Sequence, residues 1–371
     1  MKGLDEDMAE KTKKGNKTAK KRLAYIDIMN ILAIFAVVIL HHNGIVHNFS
    51  NQRAWFTSLV FECVFYFAVP IFVMISGAML LNYREKYDTK TFFKKRVAKV
   101  LVPAIFWFLF MFVWKVYVVK TMNISDWSVQ NILNIFFQTK VEPMYYFIFL
   151  ILGLYMTMPI LSRLAKPGYR KTLWYFVGAF FIMNALVPNL LVWGGITFNG
   201  GLNAEHGVTF GVMMGQYAMY AVLGYLLSKT NISKKYRIIL YCLGVLAIIY
   251  RYIATAIPSI EAGKLIKTSW GYGQFHTIIL ASAVFVFVKN LKLKERLEKN
   301  KKIMNLLASL AGCSFGIYLI HKIIMYYEVE WFGIDKVSIW WRALWPFLTY
   351  GVSILIILLL KKIPVVKKVV P

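Results

Sequence analysis

The stretch YIDIMNILAIFAVVILHH, Tyr25 to His42, decides how this chain is read. It is long enough to cross the hydrocarbon core of a bilayer as a helix, yet it carries Asp27, Asn30, His41 and His42. Ionisable side chains are costly inside a span, so finding them there points first to function. At about 100° per residue, the eleven positions from Asn30 to His41 make close to three turns, which sets both on one face with Asp27 nearby. The segment is an apolar helix with a polar stripe running to a histidine, the side chain best suited to moving a proton near neutral pH.

The rest of the chain continues the apolar theme. Of 371 residues, 59% are hydrophobic and 16% charged, and the formal net charge is +27. In a soluble domain that charge would indicate nucleic acid; here the basic residues fall between apolar segments, where they set topology. Ten spans are expected, at 24–46, 56–81, 101–119, 144–162, 172–191, 211–228, 236–256, 271–288, 303–325 and 340–360. The expected class is all-α, a polytopic integral membrane protein. KTKKGNKTAKKR, REKYDTKTFFKKRVAK, SRLAKPGYRK, KTNISKKYR, KNLKLKERLEKNKK and the tail KKIPVVKKVVP carry nearly all the Lys and Arg, whereas NLLVWGGITFNGGLNAEHGVTFG carries none. By the positive-inside rule, both termini are then cytoplasmic.

Residues 1–22 are polar and basic without apolar periodicity, which predicts a disordered cytoplasmic extension. The segment that follows is long enough to span and lacks a small-residue cleavage site, so a signal peptide is not expected. Residues 23–362 read as one transmembrane domain and 363–371 as a cytoplasmic tail. Cys63, Cys242 and Cys313 all fall inside expected spans, where they read as packing residues; no disulfide framework or metal-binding spacing is visible. Ser76 and Gly77 read as small residues that permit close helix approach.

Depth along the helices, at about 1.5 Å per residue, places His41, Glu62, Arg251, His276 and His321 in the outer third of five separate spans. Each would be expensive against lipid, so together they predict a shared polar cavity.

Five segments carry a family resemblance: VPIFVMISGAMLL (Val69 to Leu81) after a span ending in histidine, KKRVAKVLVPAIFWF, YYFIFLILGLYMTMPIL, GQYAMYAVLGYLLSK and CSFGIYLIHKII. In this order, over essentially the whole chain, they resemble the motifs of the acyltransferase 3 family of bacterial integral membrane proteins. The resemblance implies transfer of an acyl group, often acetyl from acetyl-CoA, to hydroxyls of envelope polysaccharides, peptidoglycan or lipid-linked sugars. It also implies acyl-CoA as cosubstrate without a resident cofactor, and a place in the bacterial plasma membrane. The family's first span usually has an arginine eleven positions before the histidine; here that position is Asn30, His41 is retained, and His42 is an extra neighbour.

The resemblance and the depth argument together assign expected roles. Arg96 and Lys99 keep an R-x-x-K form of a basic family pattern and would hold coenzyme A phosphates, with Asn30 and Arg84 as helpers. His41 would act as general base or as an acyl relay, with Glu62 or Asp27 fixing its tautomer. His321 would orient the acceptor or stabilise the oxyanion. Asp27, His42, Arg251 and His276 would line the substrate site. An exporter of lipid-linked saccharide is the competing reading, since it too would need intramembrane His, Glu and Arg, and a noncatalytic sensor or assembly partner is a third.

Overall fold

The computed structural model describes residues 22–125, 127–193, 210–291, 297 and 299–370. Among these the regular structure is helical throughout, with no strand. Residues 1–21 of the expected extension 1–22, the loop histidine His206 and the end residue Pro371 lie outside the described residues.

The decisive stretch forms α1, Ala24–His42. A helix apolar on every side must be covered on every side, and α1 is the hub of the bundle. It packs against α2 (Arg53–Phe65), α3 (Ala68–Leu80), α10 (Phe275–Lys289), α11 (Lys301–Gly312), α12 (Ser314–Phe332), α13 (Ile339–Ala343) and α14 (Trp345–Leu360). Between α3 and α10 lie α4 (Thr89–Val118), α5 (Val129–Phe137), α6 (Tyr146–Leu164), α7 (Pro167–Leu190), α8 (Phe210–Lys229) and α9 (Lys234–Ala262). Within α4 the backbone widens to a π turn at Val97–Leu101, an irregularity that re-aims side chains relative to a straight helix.

All ten expected segments contain helix, and by length and composition the described residues give six or seven candidate crossings. Six described helical stretches are long and apolar enough to cross a membrane alone, and a seventh is obtained if α11 and α12, bent by 54°, count as one. Two of the expected ten, α10 and α14, are apolar but shorter. The protein is thus a multi-pass membrane protein of all-helical build.

Helices α3 and α8 approach each other closely. A Cβ on Gly77 would sit 1.8 Å from the Ala221 carbonyl oxygen, and one on Gly224 would sit 2.2 Å from that of Met74. Each glycine lies against the other helix's backbone, the contact that only small residues allow.

A buried arginine fixes the His41 end of the bundle. Arg342 of α13 donates from Nη1 to the Ala54 carbonyl at 3.0 Å, to Thr57 Oγ1 at 2.6 Å and to Ser58 Oγ at 3.2 Å, and from Nε to the Val337 carbonyl at 3.0 Å. Its own carbonyl accepts from Asn43 Nδ2 at 3.0 Å. One guanidinium thereby ties α2 to the loop before α13, and its backbone reaches the end of α1. Burial of so polar a group is offset by filling its donors.

Candidate active site

The polar stripe of α1 faces a row of three cavities. At the Arg22 end, a cavity of about 270 Å³ is lined by Asn30, Ser76, Lys99, Tyr155, Ser314 and Tyr318 among others. Toward the His41 end a chamber of about 530 Å³ is lined by His41, His47, Glu62, Tyr66, Tyr146, Trp270, Tyr272 and Tyr318. These two meet at shared aromatic walls, Phe72, Phe147 and Tyr318. A third cavity, a vestibule of about 520 Å³, shares His41, Glu142 and Lys322 with the chamber. His41 therefore stands between two spaces, and Asn30, three turns below, borders the first.

His41 and His321 are brought together from α1 and α12, with ring centroids 5.1 Å apart. His321 is 0% exposed and lines neither the chamber nor the vestibule. Its Nδ1 lies 2.9 Å from the Ile317 carbonyl oxygen. A carbonyl only accepts, so Nδ1 carries the hydrogen and Nε2 keeps its lone pair; that Nε2 is buried without a hydrogen-bond partner. His321 thus lies behind His41, outside the lining of the chamber and the vestibule.

His42 has different surroundings. Its Nδ1 donates to the Val38 carbonyl at 2.8 Å, its Nε2 lies 3.0 Å from Thr349 Oγ1, and that oxygen is 2.6 Å from Glu328 Oε2. The threonine hydroxyl has one proton for two neighbours. Imidazole, hydroxyl and carboxyl accordingly hold one further shared proton, either as imidazolium and carboxylate or as neutral imidazole and carboxylic acid.

The five residues expected at one depth divide into groups. Glu62 lines the chamber with His41, but its nearest charge is Arg251, with Nη2 3.7 Å from Glu62 Oε1. That distance is an ion pair and too long for a hydrogen bond. Arg251 is 1% exposed, its guanidinium carbon lies 3.2 Å from the Tyr66 ring centroid, and none of its nitrogens has a hydrogen-bond partner. The ring face and the carboxylate compensate the charge. His276 stands apart, with Nε2 2.6 Å from Gln274 Oε1 and its ring 5.3 Å from that of Tyr250. Arg251 and His276 line neither the chamber nor the vestibule.

On the Arg22 side the expected basic residues also separate. Lys99, on the π turn, lines the small cavity. Arg96 does not; its guanidinium carbon lies 5.7 Å from the ring centroid of Tyr155, which does. Arg84 is engaged elsewhere, donating to Ser162 Oγ at 2.8 Å and to the Pro159 carbonyl at 3.3 Å, so it secures the end of α6. Asp27 is held by Arg22 through contacts of 2.6 and 2.8 Å and lines none of the three cavities. Asn30 Nδ2 donates to the Ile26 carbonyl at 3.1 Å.

Sequence reasoning missed Lys115, Glu142, Lys322, Glu328 and Thr349. Lys322 had the strongest signal, since it follows His321 inside an apolar segment. Lys115 Nζ and Glu142 Oε2 are 2.9 Å apart at the vestibule. His47, in the turn after α1, is held below the usual imidazole value by desolvation first and by Lys267 and Lys322 second. Among the described residues no group of His, Cys, Asp and Glu has the geometry to hold a metal.

A family model described as an acyltransferase domain, that of acyltransferase 3, matches residues 23–361. The chain belongs to this family of membrane acyltransferases. No curated protein and no solved structure matches it.

Proposed function

We propose that the protein takes an acyl group, acetyl being the simplest, from acyl-CoA at the cytoplasmic end. It delivers that group to a hydroxyl of an exported envelope glycan or lipid-linked sugar at the His41 end. The observation that carries this reading is the position of His41, which alone of the described histidines borders both the chamber and the vestibule, with His321 behind it. The donor enters by the small cavity, where Lys99 meets its phosphates and Asn30 offers an amide, and its thioester passes the Phe72, Phe147 and Tyr318 walls.

His41 then acts as an acyl relay. An imidazole nitrogen attacks the thioester carbonyl, the carbon–sulfur bond breaks, and coenzyme A leaves as the thiol. The ring proton of His41 leaves with the thiol and the acceptor hydroxyl's proton later restores the ring, while His321, packed behind, holds the imidazole in place. An acceptor hydroxyl in the vestibule attacks the acyl-imidazole, an ester forms, and free imidazole is restored. The general-base variant uses the same two histidines, with the hydroxyl attacking the thioester directly.

The test compares envelope glycans and lipids by mass spectrometry in deletion, complemented and His41→Ala strains. One acyl mass is expected to vanish in the first and third and to return in the second. Full acylation in a well-expressed His41→Ala strain removes the imidazole from the mechanism. Loss of a whole surface glycan, with no acyl mass changed, favours the exporter.

A further inference from the structure

The vestibule carries a charge that acyl transfer alone does not call for. Lys115 of α4, Lys322 of α12 and Lys336 of the loop after α12 converge on it, and Glu142 is its one carboxylate. Lys115 neutralises Glu142 at 2.9 Å. Among the described residues, Lys322 and Lys336 form no salt bridge, and with Glu142 already paired to Lys115 the concave space of about 520 Å³ holds three ammonium groups to one carboxylate.

Topology does not account for them. Topogenic lysines cluster in loops at the cytoplasmic end, whereas these three lie at the opposite end of α1, beside His41. Snorkelling to lipid headgroups does not account for Lys322 either, because its side chain lines both the vestibule and the chamber. Like charges around a cleft repel one another and raise the local concentration of anions. The remaining polar lining, Asn48, Thr121 and Tyr326 with the indoles of Trp114 and Trp341, supplies hydrogen bonds but no negative charge.

We propose that the vestibule is the acceptor subsite and that its acceptor is anionic, a glycan or polyol chain bearing phosphate or carboxylate groups. Lys322 and Lys336 hold one such group while a neighbouring hydroxyl reaches His41. This deepens the acyl-transfer reading and rests on it. Ammonium groups act as point charges without the fixed fork of arginine, so the subsite reads charge spacing along a chain more than one rigid headgroup. Its volume falls within the range of small-molecule sites.

Binding tests this without turnover. Full-length protein is placed in sealed vesicles of uncharged phosphatidylcholine with the His41 end outward, which shields the basic loops of the other end. Fluorescent oligomers of glycerol phosphate, of a glucuronate-containing glycan and of neutral maltose units are then titrated. The anionic oligomers are expected to bind and to weaken as salt rises past the point where the screening length is about 8 Å. Their ratio identifies phosphate or carboxylate as the recognised group. Lys336→Glu should weaken the anionic oligomers about tenfold and Lys336→Gln by less. Lys264→Glu, on the exposed loop after α9 and outside the vestibule lining, should leave them unchanged. Equal binding of neutral and anionic oligomers, or no effect of Lys336→Glu, overturns the proposal. Acylation that survives His41→Ala overturns the enzyme reading while leaving the binding result intact.

Discussion

His41 and His42 are neighbours in the chain, about 100° apart around one helix, and both line the vestibule, yet their imidazoles are held differently. His42 is 1% exposed and filled at both nitrogens, through the Val38 carbonyl and the Thr349 hydroxyl. His41 borders two cavities, has a second imidazole behind it and no comparable anchor. Hydrogen-bond saturation separates the two: a ring whose nitrogens are both occupied holds the fold, while a ring left open to a cavity is available to react. The buried arginines repeat the contrast, since Arg342 fills its donors with backbone and hydroxyl oxygens while Arg251 rests on a ring face and a distant carboxylate.

The largest effect is expected at His41. His41→Ala should lower acyl transfer by about 10²- to 10⁴-fold, the usual worth of a positioned acid–base group, with the melting midpoint of the solubilised protein unchanged. The reverse pattern, with His41→Ala unfolding the protein and His42→Ala only slowing it, would exchange the two assignments.

Next is Glu62→Gln, which leaves Arg251 buried without its counter-charge. It should cost about 3 kcal/mol of stability, read by thermal or denaturant unfolding in detergent. An unchanged midpoint would show that Tyr66 alone carries the guanidinium. His321→Asn should cost about a hundredfold in turnover, and adding it to His41→Ala should cost almost nothing more, because the two act as one unit. Additive losses would separate them.

Smaller still is Thr349→Val, which keeps the shape and removes the hydroxyl between His42 and Glu328. A stability loss of about 1 kcal/mol is expected, with turnover affected far less than by His41→Ala. At the Arg22 end, Lys99→Ala should raise the apparent donor KM by about two- to fivefold, the scale of an exposed ion contact. Arg96→Ala should do less, since its guanidinium lies over Tyr155 and outside the cavity lining. The opposite ranking would restore Arg96 as the phosphate contact.

Local periodicity made part of this legible in the sequence. The stripe from Asn30 to His41 follows from helical geometry within one segment, and the structure turns it into one wall of a row of cavities. Gly77 at a close crossing was readable for the same reason. What was not readable depends on register between distant segments. Thr349 reaches His42 across 307 positions and Glu328 across 21, and no pattern near Thr349 marks it. Arg84 looked like a phosphate ligand because its loop is basic, but Ser162, 78 positions away, takes its guanidinium. Equal depth of the five ionisable residues counts only position along each helix and leaves rotation free, and His276 lies against Tyr250.

The bend between α11 and α12 bears on Asn30, where the family resemblance implies an arginine. There the chain ends one helix at Gly312 and starts another at Ser314, and both residues, with Asn30, border the small cavity. Lys361 Nζ takes up the Gly312 carbonyl at 2.8 Å, so the outgoing end of α11 is satisfied by a cation. The incoming end of α12 brings a helix dipole, equivalent to about half an elementary positive charge, to the same wall. With asparagine there, the wall is still not electrically neutral: backbone amides supply, without a side chain to order, part of the potential that a guanidinium would provide.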